Sequence, residues 1–130
     1  MKILLDTQVF IWIIDRDKRL GSKSKKIVTS TANELYISYL SFFEMAIKAS
    51  LGKLNIDLAV MDDLEKMGIV LLSGDQTDLL KYQIYNQTNK DPFDNFLIAT
   101  AKSRKLLLLS SDRSILNTQV RGLELLDARK

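Results

Sequence analysis

Four short runs that are apolar at every position, separated by longer amphipathic stretches, constrain this chain most. Ile3-Leu4-Leu5, Leu35-Tyr36-Ile37, Ile69-Val70-Leu71-Leu72 and Leu106-Leu107-Leu108-Leu109 offer no polar side. A strand with one wet face alternates in polarity, so a strand apolar throughout has to be covered on both faces. The runs predict strands over 2–5, 35–38, 69–72 and 106–109, with a fifth over 123–126. The stretches between them predict helices over 7–14, 22–30, 41–51, 57–67, 75–87 and 92–104. Gly52 and Gly68 follow two of these as stop signals, and Asp91-Pro92 opens the last as N-cap and first-turn proline. Strands alternating with helices define an α/β chain: a three-layer α/β/α domain around a central, mostly parallel sheet of four to five strands. Residues 1–130 are expected to form one domain, with no linker, repeat or low-complexity tract.

Composition narrows the chemistry. The 130 residues contain no His and no Cys. Disulfides, thiolate zinc sites, cysteine nucleophiles and imidazole acid–base catalysis are all excluded. No Gly-rich phosphate loop follows any strand. No apolar run approaches the roughly 18 residues of a membrane span. Asp6 and Asp15 interrupt the N-terminal apolar segment, so no signal peptide is expected and a cytoplasmic location is. The net charge of +3 and pI near 9.1 suit a partner that is a polyanion.

Four carboxylates stand where apolar runs stop or break. Asp6 ends the first strand and Asp112 follows the fourth, both on the edge where open α/β sheets bind ligands. Each also has a structural use as the N-cap of a following helix. Glu44 lies in Phe42-Phe43-Glu44-Met45-Ala46-Ile47, on a helical stripe with Leu40, Ile47 and Leu51. Its structural alternative is an i,i+4 pair with Lys48, worth only a few tenths of a kcal/mol when exposed, roughly 0.3–0.5. Asp94 stands at the third position of the helix opened by Asp91-Pro92, where a negative charge also favours the helix dipole. Local chemistry leaves Asp91 as the alternative to Asp94. Clustered carboxylates repel unless a cation sits among them, so a hard divalent ion is the expected reagent.

These segments resemble the motifs of PIN-domain ribonucleases, specifically the VapC-like toxins of type II toxin–antitoxin pairs. Leu4-Leu5-Asp6-Thr7-Gln8-Val9-Phe10-Ile11-Trp12 is similar to the first motif, and the stretch from Ser38 to Leu54, with Glu44, to the second. Asp91-Pro92-Phe93-Asp94 continuing to Ile98-Ala99-Thr100-Ala101 resembles the third, and Leu109-Ser110-Ser111-Asp112 the fourth. The resemblance runs nearly end to end. It implies an acidic quartet of Asp6, Glu44, Asp94 and Asp112, and aligning the run after Asp94 favours Asp94 over Asp91. It implies supporting roles for the hydroxyls of Thr7, Ser41 and Ser110 and for Lys48. Three positions depart from the group: Gln8 and Asn89 stand where His is often found, and Asn95 where Arg is usual. None removes a carboxylate; all bear on substrate contacts.

The resemblance therefore implies a Mg²⁺- or Mn²⁺-dependent endoribonuclease, with Asp6 and Asp94 as direct ligands and Glu44 and Asp112 completing the site directly or through water. Lys48 and Lys53 would hold the RNA backbone. It further implies a cognate antitoxin and a homodimer. Apolar residues around Trp12, Phe42 and Phe43 are candidates for either contact, with core packing the use expected first. The alternative is a catalytically weak or inactive PIN-like module that binds RNA or a protein partner. An aspartyl-nucleophile phosphatase would want a second Asp two residues after Asp6, where Gln8 stands.

Overall fold

The computed structural model describes residues 1–85 and 90–130. Five strands, β1 (Lys2–Leu5), β2 (Glu34–Ser38), β3 (Ile69–Leu72), β4 (Leu107–Ser110) and β5 (Glu124–Asp127), form one sheet in the order β3-β2-β1-β4-β5. Every neighbouring pair is parallel. Six α-helices among the described residues accompany them: α1 (Thr7–Asp15), α2 (Ser22–Thr29), α3 (Tyr39–Ser50), α4 (Gln76–Tyr85), α5 (Pro92–Arg104) and α6 (Arg113–Leu116).

The apolar strands are explained by what covers them. In β1, Ile3 and Leu5 join a core with Val9 and Phe10 of α1 and Phe42 and Met45 of α3. Leu4 points the other way, into a core with Leu97, Ile98 and Ala101 of α5 and Ile115 of α6. β4 repeats the alternation, with Leu109 on the first side and Leu108 on the second. This is the period-2 geometry of a strand serving two hydrophobic layers. The predicted three-layer α/β architecture is what forms.

Strand order places the functional edge. β1 runs leftward through β2 to β3, and the chain then crosses to β4 and β5 on the other side of β1. The reversal point lies between β1 and β4. There the chains leaving the two strands diverge, and a crevice opens at their carboxyl ends.

Two expectations need correction. The segment predicted as a helix over 57–67 is a 3₁₀ helix, Leu58–Asp63, followed by turns. Leu58, Val60 and Met61 of this helix, and Leu64 and Met67 of the turns after it, pack against the core. The stripe of Leu40, Glu44, Ile47 and Leu51 does not face the core: Ser41, Phe42 and Met45 do, while Ile47 and Leu51 are exposed. Trp12 and Phe42 are buried, in the core-packing use expected of them, while Phe43 is exposed. The predicted helix over 75–87 is seen as Gln76–Tyr85; its last two positions lie outside the described residues.

One polar interaction locks α4 to α5. Asp78 is 3% exposed and receives Arg104 Nε at 3.1 Å and Nη2 at 2.7 Å. The guanidinium holds the Asp78 carboxyl below its usual range. Asp78 is the only buried residue of α4, and α5 carries Asp94.

Candidate active site

Asp6 begins the site. It is the residue after β1, and its backbone N–H donates to Leu109 O at 3.0 Å, which continues the β1–β4 pairing to the sheet edge. Its extended backbone makes it the N-cap of α1, and Thr7 N donates to Oδ1 at 2.7 Å. Oδ2 accepts from Ser110 Oγ at 2.7 Å. The same Ser110 Oγ accepts from Asp112 N at 3.0 Å. Adjacent strand ends are thus joined through one buried hydroxyl.

Glu44 reaches the site from α3. Its Oε1 accepts from Thr7 Oγ1 at 2.8 Å, and its Oε2 pairs with Lys48 Nζ at 3.0 Å. The i,i+4 pair therefore exists alongside the functional position: Glu44 is 14% exposed and Lys48 50%. Asp112 caps α6 through Ser114 N and Ile115 N. Asp91 caps α5, with its Oδ1 accepting from Phe93 N and Asp94 N. Asp94 sits one turn in, and is buried.

These side chains line one open pocket of about 460 Å³, which contains Asp6, Thr7, Glu44, Lys48, Asp91, Asp94 and Asp112. The predicted acidic quartet converges there, together with its alternative Asp91. Asp94 is pushed up to about 7, first by burial and then by Asp91, Asp112, Asp6 and Glu44. Asp6 is pushed up to about 6 by burial and by Glu44 and Asp112, against the lowering effect of its bonds to Ser110 and Thr7. Asp91 spends one oxygen on the helix cap, the use its Asp-Pro context predicts.

Other predicted residues divide. Thr7, Ser110 and Lys48 each contact a carboxylate. Ser41 does not: its Oγ is buried with no hydrogen-bond partner among the described residues. Ser41 lies on the buried face of α3 with Met45, one turn before Glu44. Lys53 is exposed and lies outside the pocket wall, whereas Lys48 lines it. Of the departures, Gln8 lines the pocket, Asn95 is buried at 2% exposure and is not among the pocket-lining residues, and Asn89 lies outside the described residues.

Sequence reasoning missed a basic rim. Arg19, Arg113 and Arg129 line the same pocket, with Trp12 and Ser111. Arg113 was legible as the neighbour of Asp112. Arg129 follows β5 and so falls on the same sheet edge as Asp6 and Asp112, but only the observed register of β5 on β4 reveals it.

The donor set is all oxygen, crowded with like charge, and suited to a hard divalent cation. Among the described residues, no three acidic side chains are drawn together into a ready-made cage.

A parallel, doubly wound α/β sheet with an acidic pocket at its reversal point is the class that fold and site define together. The PIN domain profile matches residues 3–120, and the chain belongs to the PIN-domain family. A comparison with curated proteins finds no match. Among solved structures, VapBC-1 of nontypeable Haemophilus influenzae is similar at TM-score 0.70 and 18% identity, covering 100% of both chains. DNA-bound VapBC of Salmonella typhimurium aligns at TM-score 0.65 and 18% identity over 98% of each chain. A toxin–antitoxin complex of Klebsiella pneumoniae aligns at TM-score 0.63 and 14% identity, over 93% of this chain and 94% of that one. At these identities the likeness is one of fold. No helix among the described residues is long and apolar enough to cross a membrane.

Proposed function

We propose that this chain is a Mg²⁺- or Mn²⁺-dependent endoribonuclease and the toxin of a toxin–antitoxin pair. The observation that carries the reading is the convergence of Asp6 and Asp94, with Glu44 and Asp112, on one pocket at the sheet's reversal point, where burial and mutual repulsion raise the Asp6 and Asp94 pKa values. Two buried carboxylates that resist ionisation beside further acids are an arrangement that binding a cation relieves. Membership of the PIN-domain family and the fold shared with VapBC complexes support the same reading.

Asp6 and Asp94 would hold the metal, with Glu44 and Asp112 acting directly or through its waters. When bound, the metal supplies an activated water and charge stabilisation for in-line displacement at a phosphodiester. The chain's own residues do the rest. Ser110 and Thr7 N aim the Asp6 carboxylate. Thr7 Oγ1 and Lys48 fix Glu44. Lys48 adds positive charge beside the acids for an incoming phosphate. The partners that follow are an RNA substrate, a cognate antitoxin and a second copy of the chain.

The test is cleavage of end-labelled single-stranded RNA by the purified chain. Cleavage with Mg²⁺ or Mn²⁺, none in EDTA, and none by Asp6→Asn with the fold retained is expected. Metal-independent cleavage, or full activity of Asp6→Asn, contradicts the reading. A folded chain that binds RNA yet never cuts it favours the PIN-like binding module instead.

A further inference from the structure

The acids occupy one part of the pocket; arginines on an aromatic support occupy another. Arg19 and Arg129 place their guanidinium carbons 5.1 Å and 5.8 Å from the centroid of the Trp12 ring. Trp12 is 3% exposed and belongs to the core, so the support is rigid. A guanidinium over an indole face is held by cation–π attraction and keeps its edge N–H donors available.

Arg129 is fixed twice over. Its Nη1 donates to Ser111 O at 2.5 Å, one residue before Asp112. Its backbone is held by neighbours: Gly21 N donates to Ala128 O, and Lys23 N donates to Lys130 O, both at 2.8 Å. Gly21 lets this segment approach, since a Cβ there would stand 2.4 Å from Arg129 O. Asp127 lies 3.9 Å from the guanidinium, but its Oδ1 accepts from Arg129 N instead. Among the described residues, the remaining guanidinium donors of Arg129 have no hydrogen-bond partner. Arg19, by contrast, is engaged through Nε and Nη2 by Asp17.

We propose that Arg129, with Arg19 as a weaker second, is a phosphate seat that holds the RNA strand next to the phosphodiester at the acidic centre. It rests on the ribonuclease reading and adds a substrate-positioning residue to it. A single strand carries a phosphate at every nucleotide, and a metal at the acids can serve only those it touches. The neighbouring phosphate meets the field of five pocket carboxylates unless a cation stands there. A pre-oriented guanidinium matches a phosphate through paired N–H donors.

The test uses fluorescence anisotropy of a fluorescein-labelled single-stranded RNA dodecamer in EDTA, so that nothing is cut, across a range of salt. Arg129→Gln keeps the aliphatic stem and a polar amide but removes the charge. It is expected to weaken RNA binding by about tenfold and to reduce the salt slope by about 0.7. Arg129→Lys is expected to restore the slope and only part of the affinity, because an ammonium does not present a planar fork. Arg19→Gln should cost about threefold, since Asp17 already engages it. Mn²⁺ affinity by calorimetry should be unchanged in all three, which a merely structural role for Arg129 would not allow. RNA affinity and salt slope of Arg129→Gln equal to wild type overturn the proposal while leaving the ribonuclease reading intact. The same holds if poly-glutamate shows the Arg129 dependence and RNA does not; the seat then belongs to an acidic protein partner. A wild-type chain that does not bind RNA in EDTA overturns the phosphate seat, and the ribonuclease reading is then decided by the cleavage assay alone.

Discussion

Ser110 Oγ donates to Asp6 Oδ2 at 2.7 Å across 104 residues of sequence, and joins the carboxyl ends of the two strands that flank the sheet's reversal point. The same oxygen accepts from Asp112 N. One hydroxyl therefore holds the Asp6 carboxylate and the backbone at Asp112 together.

Ser110→Ala removes that link without changing charge. Its bond lowers the Asp6 pKa, so losing it pushes Asp6 higher still. Partners that orient a metal ligand typically contribute 10- to 100-fold to metal affinity. Mn²⁺ affinity of Ser110→Ala, measured by calorimetry near neutral pH, should fall by about tenfold. An unchanged value means Asp6 does not depend on Ser110.

Stability of the metal-free chain should fall as pH rises from about 4 to about 7. Asp6 and Asp94 have folded pKa values near 6 and 7, above the ordinary 3.8. In that window the folded chain binds more protons than the unfolded one, so raising pH favours unfolding. Asp78 and Asp17 act oppositely, but their depressed values place their effect below that window. A drop in Tm on the order of 5 °C between pH 4.5 and pH 7.5 is expected, reversed by added Mg²⁺ at the higher pH. A flat profile, or one rising with pH, contradicts the crowding of these acids.

Arg104→Met should destabilise the fold by about 2 kcal/mol in urea titration, less than a fully buried pair because Arg104 is 35% exposed. It strands Asp78 at the α4–α5 contact. Loss of less than a few tenths of a kcal/mol, roughly 0.3, would show the pair to be a surface one.

Gly21→Ala tests the close approach of the final segment. The new Cβ would meet Lys130 C at 2.3 Å and Arg129 C at 2.5 Å, both backbone atoms that cannot rotate away. Gly21 has φ of −68°, so space rather than backbone freedom demands glycine. A cost of about 1–3 kcal/mol is expected, with weaker RNA binding as Arg129 shifts. Wild-type stability would mean the segment moves aside freely.

The fold was legible because its signals are local and agree. Apolar runs with no polar face marked β1 to β4, and Asp91-Pro92 marked the start of α5 to the residue. What failed was the face of α3. Glu44 looked like a charge on an apolar stripe because Leu40, Ile47 and Leu51 share its spacing. The helix instead buries the face of Phe42 and Met45 and leaves Ile47 and Leu51 in solvent. Periodicity gives a stripe, but tertiary packing chooses which stripe faces in. The acids were legible from strand ends and motif order. The basic rim was not, because Arg19 and Arg129 meet over Trp12 only through the path of the last strand.

Calorimetric titration of Mn²⁺ into the wild-type chain, Asp6→Asn and Asp94→Asn near pH 7.5 bears most directly on the acidic centre. Saturable binding to wild type, reduced at least about 100-fold in both variants while their circular dichroism stays native, is predicted. Equal binding by either variant, or no binding by a folded wild-type chain, would contradict a metal held by Asp6 and Asp94.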